Sequence, residues 1–350
     1  MAPTLPILTL RPEVLSSPIP ASTAWLLSDC AEFRGKQDLW TRQKPAVLQA
    51  LRQRAIVQSV ESSNRIEGVT APADRIGPIV HGLVKPRDRP EEELLGYRKA
   101  LDWIFTRKGA VPVTAKTIRH LHEICQRGAA DAGQFKSRDN ELIEQLPAGG
   151  TRVRFRPTPA SVTPKAIDAL CRHYERVVEP AAPSNLLALT TFVFDFLCIH
   201  PFRDGNGRVA RLLASLLMEQ NGFAIARFIS LERLIEDSKE DYYRTLGECS
   251  VGWSDGKNVI VPWWNYFLSI TRRAYAELAQ QVDSASNRAS KTDLIRLAVD
   301  RQVGHFTVAD LHREIPEVSS QMIKKVLQDL RKQKQLRLVG RGRGARWIAT

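Results

Sequence analysis

The sequence lacks the features of a membrane protein and of a disulfide-stabilised secreted protein. No apolar run is long enough to span a bilayer, and the N-terminal stretch has no basic segment followed by an apolar one. Cysteine is scarce and forms no Cys-x-x-Cys pair typical of zinc or redox sites; the five residues are Cys30, Cys125, Cys171, Cys198 and Cys249. We therefore expect a cytoplasmic protein with reduced thiols.

Acidic residues are fewer than basic ones. The 350 residues include 51 Lys or Arg against 38 Asp or Glu, which gives a net charge of +13. Residues 289–350 contain 13 Lys or Arg and 6 Asp or Glu, so the tail holds a net +7. A hydrophobic fraction of 43% is ordinary for a globular protein, and the length predicts two or more domains. The C-terminal tail is therefore the basic part of the chain.

The most informative stretch is HPFRDGNGRVAR, residues 200–211. The preceding residues 185–199 are apolar nearly all round, which predicts a buried helix that ends at the proline of this stretch. Gly205-Asn206-Gly207 tolerates positive φ angles, so successive backbone N–H groups can converge on an anion. An amphipathic run follows, which places this turn at a helix N-terminus, where the helix dipole favours phosphate.

Side chains around the turn suit attack on a nucleotide phosphate. Asp204 is a hard oxygen ligand of the kind that holds Mg²⁺. Arg208 and Arg211 lie three residues apart on one face of the predicted helix and can bind phosphate oxygens in bidentate fashion. His200 stands at the end of the buried helix, where a neutral imidazole can accept a proton from a nucleophile.

This stretch resembles the Fic-domain motif, H-x-F-x-(D/E)-G-N-G-R-x-x-R. It agrees at all the specified positions, which are His200, Phe202, Asp204, Gly205, Asn206, Gly207, Arg208 and Arg211. The resemblance implies a mainly α-helical Fic core with a β-hairpin flap, and a function in Mg²⁺-dependent transfer of AMP from ATP. It assigns His200 as the base, Asp204 as the Mg²⁺ ligand, and the turn and both arginines as the groups that bind the triphosphate. The related Doc branch, which phosphorylates instead, has Lys where this chain has Gly207.

The same resemblance predicts a flap and an adenine pocket. GQFKSRDN and the alternating TRVRFRP, with a turn at Gly149-Gly150, resemble the flap, a hairpin near residues 134–158 on which a target protein docks. An ordinary surface hairpin is the alternative. The positions that face the nucleotide in family members are Asn140 in the flap and Tyr242, Tyr243, Leu246 and Ser250 in the adenine pocket. Ser250 replaces the asparagine expected there, so transfer of another nucleotide-derived group, such as UMP or phosphocholine, remains an alternative.

A second motif lies at the end of a predicted helix. SSNRIEG resembles the family's inhibitory motif, (S/T)-x-x-x-E-(G/N), with Ser63, Glu67 and Gly68 at its specified positions. In Fic proteins that have this motif near the N-terminus, the glutamate pairs with the second motif arginine, here Arg211, and displaces the γ-phosphate of ATP. An ordinary C-terminal end of a helix is the alternative explanation.

The basic tail follows a small polar stretch, SASNRAS, which we interpret as a linker over residues 284–290. Beyond it, the order of two helices, a longer helix and a hairpin resembles a winged helix-turn-helix over residues 291–350. Its third helix and the hairpin offer basic side chains for DNA phosphates, namely Lys324, Lys325, Arg331, Arg341 and Arg343. Winged helices also dock on proteins, in which case these charges are only a solvated surface.

These interpretations divide the chain into an N-terminal helical region (1–110), a Fic catalytic core (111–283), the linker and the winged helix. The predicted enzyme is a self-inhibited protein adenylyltransferase. It modifies a Ser, Thr or Tyr hydroxyl of a target protein, and of itself, with ATP as substrate and Mg²⁺ as cofactor. A DNA-binding transcriptional regulator that uses the Fic core as a nucleotide sensor is the alternative from a different class. No membrane partner is expected, and a homo-oligomer is compatible with the sequence.

Overall fold

The computed structural model describes residues 4–43, 45–107, 109–145, 151–179, 182–302, 304–340 and 345–349. The chain divides into two units, one up to Leu278 and one from Ala279 onward. The prediction of a mainly α-helical protein is confirmed. Within the described ranges, helices with the length and apolar surface needed to cross a membrane are absent.

The first unit contains a single hairpin among many helices in its described residues. The helices before the hairpin are Pro12–Leu15 (α1), Ala21–Gln43 (α2), Pro45–Ile66 (α3), Ala73–Val80 (α4), Arg89–Thr106 (α5) and Ala115–Cys125 (α6). Leu142–Gln145 (β1) and Thr151–Phe155 (β2) form an antiparallel pair. The helices after it are Thr163–Val177 (α7), Asn185–Ile199 (α8), Asn206–Gln220 (α9), Leu231–Asp237 (α10), Lys239–Ser250 (α11) and Val261–Asp300 (α12). The predicted hairpin turn at Gly149-Gly150 lies outside the described residues.

The core of this unit is built around α8. Every residue of α8 is buried, as its nearly continuous apolar surface predicts. It packs against α7 and α9, and α5 and α6 contact α9 in turn. The N-terminal helix α3 contacts α5, α9 and α10, so the region drawn from the sequence as 1–110 belongs to the same compact unit as α8 and α9. This packing brings the second motif, at the end of α3, toward the first motif.

A buried carboxylate fixes the N-terminal segment. Asp195 of α8 accepts hydrogen bonds from the N–H of Thr9 at 3.1 Å, the N–H of Leu10 at 2.8 Å and the indole N–H of Trp253 at 2.7 Å. Leu10 is itself buried. Burial raises the pKa of Asp195, and the hydrogen bonds oppose that rise. These contacts explain how a proline-rich segment becomes part of the core.

The second unit combines the end of α12 with two further helices and a hairpin. Their bounds are Val308–Glu314 (α13), Ser320–Lys332 (α14), Leu336–Val339 (β3) and Arg346–Ala349 (β4), and the two strands pair antiparallel. Buried apolar residues from all of them form one cluster, which includes Ile295, Val299, Leu311, Ile323, Leu327, Leu330 and Trp347. Lys324, Lys325 and Arg331 are exposed on α14. Arg341 and Arg343 lie outside the described residues, and the winged helix and its DNA contacts stay predictions.

Residues 284–290 continue a helix instead of interrupting one. α12 runs from Val261 to Asp300, so the stretch that we interpret as a linker is helical. The stretch contains neither proline nor glycine, and its Ala and Arg residues favour the helix. Small polar composition therefore did not end the helix, because nothing in SASNRAS opposes the helical backbone of the flanking residues.

Candidate active site

His200 follows the last residue of α8 and has a left-handed backbone, with φ of 51°. Its ring Nδ1 lies 3.3 Å from the carbonyl oxygen of Leu197. Because a carbonyl only accepts, this contact assigns the ring proton to Nδ1 and leaves Nε2 as an acceptor. Burial lowers the pKa of His200 to about 4, so the imidazole is neutral at pH 7. The ring therefore has the protonation state of a general base.

Lys136, which lies between α6 and β1, fastens the backbone on both sides of His200. Its N–H donates to the carbonyl of Pro201 at 2.9 Å. Its ammonium donates to the carbonyl of Ile199 at 3.3 Å and to Oδ1 of Asn140 at 2.8 Å. Burial lowers the pKa of Lys136 to about 8, so the ammonium form predominates at pH 7. The cation lies at the C-terminal end of α8, where unpaired carbonyls and the helix dipole favour positive charge.

Two asparagines shape the turn between α8 and α9. Asn206 accepts from the N–H of Phe202 at 2.9 Å and donates to its carbonyl at 2.8 Å. Asn140 also donates to that carbonyl, at 3.4 Å. Gly205 has φ of 78° and supplies no side-chain cap to α9. The N-terminal N–H groups of α9 therefore have no side-chain cap from Gly205, and their binding of an anion stays a prediction.

An aromatic stack supports this turn from α6. The rings of His122 and Phe202 are parallel within 6°, with centroids 3.7 Å apart. Nδ1 of His122 accepts from the N–H of Gly133 at 2.8 Å, so Nε2 donates to the carbonyl of Asp204 at 3.1 Å. Burial lowers the pKa of His122, which keeps the ring neutral in this role.

Arg208 is buried and contacts residues of α5, α3 and the turn. Its side chain is buried and forms an ion pair with Glu93 of α5. The guanidinium also lies 3.4 Å from Oδ1 of Asn64 and 3.5 Å from Oδ2 of Asp204. The two motif arginines therefore do not share one ligand-facing surface here. In this structure Arg208 joins α9 to α5 and α3, and its contact with phosphate stays a prediction.

Arg211 is held by the second motif. It donates from Nε to the hydroxyl of Ser63 at 2.9 Å, from Nη2 to the carbonyl of Ser63 at 2.8 Å, and from Nη2 to Glu67 at 2.9 Å. Burial opposes the charge of Arg211, but the Glu67 carboxylate holds its pKa above the ordinary value. Among the described residues, Nη1 has no hydrogen-bond partner. Gly68, with φ of 77°, follows as a left-handed residue after the helix.

Glu67 also lies directly against Gly207. A Cβ atom at Gly207 would overlap Oε1 of Glu67 and would lie 3.3 Å from Nη1 of Arg211. Position 207 can therefore hold only glycine while Glu67 is in place. The carboxylate sits beside the first turn of α9, where the phosphates of a nucleotide are expected to bind.

A cavity of about 320 Å³ joins these groups. The predicted site residues that line it are Glu67, His200, Gly207, Arg211, Tyr242, Tyr243, Leu246 and Ser250. The remaining ones, Ser63, Gly68, Asn140, Asp204, Gly205, Asn206 and Arg208, are not part of its lining. Most of these hold the lining residues in place through the contacts given above.

Part of the cavity lining is aromatic. Tyr242 is buried and lies 5.2 Å from Tyr243 and 5.6 Å from Trp263, measured between ring centroids. The hydroxyl of Ser250 donates to the carbonyl of Gly247 at 2.8 Å. Its oxygen is still able to accept a hydrogen bond from a base or a ribose. This part of the cavity is therefore suited to a planar apolar ring with few polar contacts.

Asp204 can hold a metal only together with a ligand. Its side chain is 66% exposed, and one carboxylate oxygen accepts from the N–H of Gly205 at 2.7 Å. Among the described residues, no three His, Cys, Asp or Glu side chains cluster as a metal site. A single exposed carboxylate fits Mg²⁺ that is shared with substrate phosphates, and it does not fit a metal held by protein ligands alone.

Three residues around the site were not identified from the sequence. Lys136 and Arg154 stand within the hairpin stretches, where a basic residue has no distinctive pattern. Glu93 had a detectable signal, because it lies four residues before Tyr97 on the buried face of α5. A carboxylate on an apolar helix face indicates a buried partner, here Arg208.

Comparisons with known proteins relate the chain to Fic proteins. Residues 112–218 match the model of the Fic/DOC family. The chain also has the fold of solved Fic proteins. It aligns with a Fic family protein from Desulfovibrio desulfuricans at a TM-score of 0.66 and 22% identity, over 95% of this chain and 97% of the other. A Fic domain-containing signaling protein from Bacteroides thetaiotaomicron aligns at a TM-score of 0.55 and 21% identity, over 75% and 97% of the two chains.

Two curated relatives are named as adenylyltransferases. Protein adenylyltransferase Fic from Nematostella vectensis is 25% identical over 214 residues, which are 57% of this chain and 44% of that protein. A probable protein adenylyltransferase from Aquifex aeolicus is 32% identical over 89 residues, which are 25% of this chain and 26% of that protein. The chain thus spans less than half the length of the curated relatives that it matches.

Proposed function

We propose that the protein transfers AMP from ATP to a hydroxyl group of a target protein and of itself, with release of pyrophosphate. One observation carries the proposal: a single cavity is lined by neutral His200, by Arg211 and by Gly207 in the uncapped first turn of α9. A base and a polarised anion-binding site at one cavity are the two requirements of nucleotidyl transfer. The names of the Nematostella and Aquifex relatives support the same reaction.

In the proposed step, Nε2 of His200 accepts the proton of the target hydroxyl, whose oxygen attacks the α-phosphorus of ATP. The new oxygen–phosphorus bond forms while the bond from the α-phosphorus to the bridging oxygen breaks. The electron pair leaves with pyrophosphate. The N–H groups of α9 and the guanidinium of Arg211 stabilise the negative charge on the phosphates.

Mg²⁺ fits this step as a cofactor shared between ATP and Asp204. When bound, it would neutralise phosphate charge as a Lewis acid. Asp204 is the residue that would hold it, through the carboxylate oxygen that does not accept from Gly205.

The proposed resting state is inhibited by Glu67. The carboxylate pairs with Arg211 and lies against Gly207, so it competes with a phosphate for the same cation and the same helix N-terminus. Two anions cannot occupy this site at low energetic cost. ATP would therefore bind with its triphosphate displaced until Glu67 moves.

A second candidate function is a DNA-binding regulator in which the first unit senses nucleotides. The observation that favours it is the exposed cationic row of Lys324, Lys325 and Arg331 on α14. DNA affinity of the full chain should fall steeply with salt, and Lys324→Glu with Lys325→Glu should lower the log–log salt slope by about 0.9 per lost phosphate contact. Arg301→Glu with Arg313→Glu is the matched control, because these residues pair with Glu314 and Asp310. Equal slopes for both variants would contradict DNA binding through α14.

Intact-mass spectrometry tests the enzymatic proposal. The protein is incubated with Mg²⁺ and ATP, GTP, CTP, UTP or CDP-choline, and we expect addition of one or more AMP groups from ATP. His200→Ala should abolish the addition, whereas His120→Ala, at a partly exposed position of α6, should retain it. If His200→Ala is labelled as well as the wild type, His200 is not the base. A mass that corresponds to another group would replace AMP as the transferred species.

A further inference from the structure

The cavity that contains His200 borders a larger groove between the hairpin and α11. The groove has a volume of about 1640 Å³ and extends along residues between Glu236 and Ser254. The cavity and the groove share the residues Arg154, Phe155, Tyr243, Gly247 and Ser250. A chain segment in the groove would therefore lead directly to the base.

One wall of this groove is a strand with an unpaired edge. Arg152 through Phe155 of β2 all line the groove. In the described part of the chain, β2 pairs with β1 alone, in a sheet of two strands. An extended segment can add to such an edge through main-chain hydrogen bonds. The groove is therefore shaped for a segment of a second polypeptide.

Most acidic side chains on the opposite wall already have partners. Five carboxylates line the groove. The ion pairs of four of them are Glu236 with Arg65, Asp237 with Arg233, and Asp241 and Glu248 with Arg244. Glu240 is the remaining one, and it forms no ion pair with the described residues. These pairs leave little negative charge to attract a basic segment.

Two cations in the groove lie near the Tyr243 ring and donate to backbone carbonyls. The guanidinium of Arg154 donates to the carbonyl of Tyr243, and its carbon lies 5.9 Å from the Tyr243 ring centroid. The ammonium of Lys239 donates to the carbonyl of Ile66 at 2.8 Å and also lies 5.9 Å from that ring. Neither has a carboxylate at ion-pair distance within the described ranges, and both are exposed. An incoming carboxylate would thus meet two cations without an acidic partner.

We propose that Arg154 and Lys239 select a target segment with an acidic side chain beside the modified hydroxyl. The inference rests on the AMP transfer proposed above, because the hydroxyl must reach His200. A neighbouring residue of a segment extended along β2 then lies near Tyr243, between the two cations. The net charge of +13 also steers acidic segments toward the protein.

The experiment compares paired synthetic peptides that have a central Ser, Thr or Tyr flanked by glutamates or by lysines. All variants are full-length chains that also have Glu67→Gly. Lys239 donates to the carbonyl of Ile66, next to Glu67, so without this background a change at Lys239 could alter the rate through the inhibitory glutamate. We expect kcat/KM for glutamate-flanked peptides to exceed that for lysine-flanked peptides by about threefold to tenfold, as for two exposed ion pairs. Arg154→Glu with Lys239→Glu should invert the ratio. KM for ATP is measured for every variant, because Arg154 also lines the cavity that contains His200.

A matched control keeps the net charge change equal. Lys165→Glu with Arg172→Glu, on the exposed face of α7, should preserve the glutamate preference. Equal rates for both peptide types, or a preference that survives the double reversal, would overturn the proposal. So would a tenfold rise in KM for ATP with an unchanged peptide ratio, because the two cations would then serve the nucleotide. Absence of AMP addition to the Glu67→Gly protein itself would instead contradict the proposed function.

Discussion

The C-terminal end of α8 and the N-terminal end of α9 meet at one turn. Side chains of the protein contact the backbone groups at the first end, but no side chain in the described ranges caps the second. At the end of α8, the side chains of Lys136 and His200 both contact backbone carbonyls. At the start of α9, Gly205 supplies no side-chain cap. Arg211, one turn further along, keeps Nη1 without a partner among the described residues. We call the end of α8 the closed end and the start of α9 the open end. The closed end holds the base in position, and the open end is suited to bind an anion.

The open end already faces an anion from the protein itself. Glu67 lies against Gly207 and pairs with Arg211. Its side chain is 29% exposed, whereas that of Arg211 is 4% exposed. The cation is therefore fixed in the core, and the carboxylate is the partner that is free to leave. This difference predicts opposite consequences for mutations of the two members of one ion pair.

The largest effect is expected when the open end loses its cation. Arg211→Ala should lower the rate of AMP addition by about a hundredfold or more, because a donor to developing charge contributes about 3 kcal/mol to the transition state. The loss should be equally large when Glu67→Gly is also present. Intact-mass time courses of both variants measure it.

A control must separate this loss from a damaged fold. Arg227→Ala removes another partly buried arginine that pairs with a glutamate, at 24% side-chain exposure and away from the cavity lining. It should keep the wild-type rate. If Arg211→Ala with Glu67→Gly is as fast as Glu67→Gly alone, Arg211 does not act on the phosphates.

Removal of the carboxylate should act in the other direction and more weakly. Glu67→Gly frees Arg211 and the first turn of α9, so AMP addition should rise about tenfold, which corresponds to about 1.4 kcal/mol in the barrier. Glu61→Gly is the matched control, since this partly exposed glutamate of α3 pairs with Arg65 and does not line the cavity. An unchanged rate in a folded, ATP-binding Glu67→Gly protein would mean that SSNRIEG is only a helix end.

The parts of the site that depend on short segments could be predicted from the sequence. The apolar run over 185–199 predicted a buried helix, which the structure contains as α8, and the proline after the run marks its C-terminal end. The glycines of the motif indicated the turn, and the positive φ at Gly205 agrees with that reading. The resemblance to the inhibitory motif implied the contact between Glu67 and Arg211, which the structure contains.

The parts that depend on distant packing could not be predicted. Lys136 reaches a carbonyl 63 residues away, and Arg208 reaches a carboxylate 115 residues away. Spacing along α9 suggested that both arginines face the ligand, but Glu93 of α5 attracts Arg208 into the interior. The same limit applies to residues 284–290, because composition alone did not reveal that α12 continues through them.

The smallest expected effect concerns the closed end. Lys136→Met removes the ammonium that donates to the carbonyl of Ile199. Burial is the main cause of the low pKa of His200, and the charge of Lys136 lowers it further. The charged groups that influence His200 are Lys136, Glu67 and Asp204, and only Lys136 lowers its pKa. Because Lys136 itself has a pKa of about 8, the wild-type rate should be flat only between about pH 7 and pH 6. On the acidic side it should fall only as the pH approaches about 4, where the base becomes protonated.

In Lys136→Met the pKa of the base should rise, so the acidic fall of the rate should begin at a higher pH. At pH 7.5 we expect only about a fivefold lower kcat with KM for ATP unchanged, because a typical hydrogen bond contributes about 1 kcal/mol. Lys136→Arg should restore the pH at which the wild-type rate begins to fall on the acidic side. The exposed control Lys165→Met should not change that pH. A lower kcat with the wild-type pH profile would mean that Lys136 holds the turn without acting on the base. That result would limit the role of the closed end to geometry, because the neutrality of His200 would then depend on burial alone.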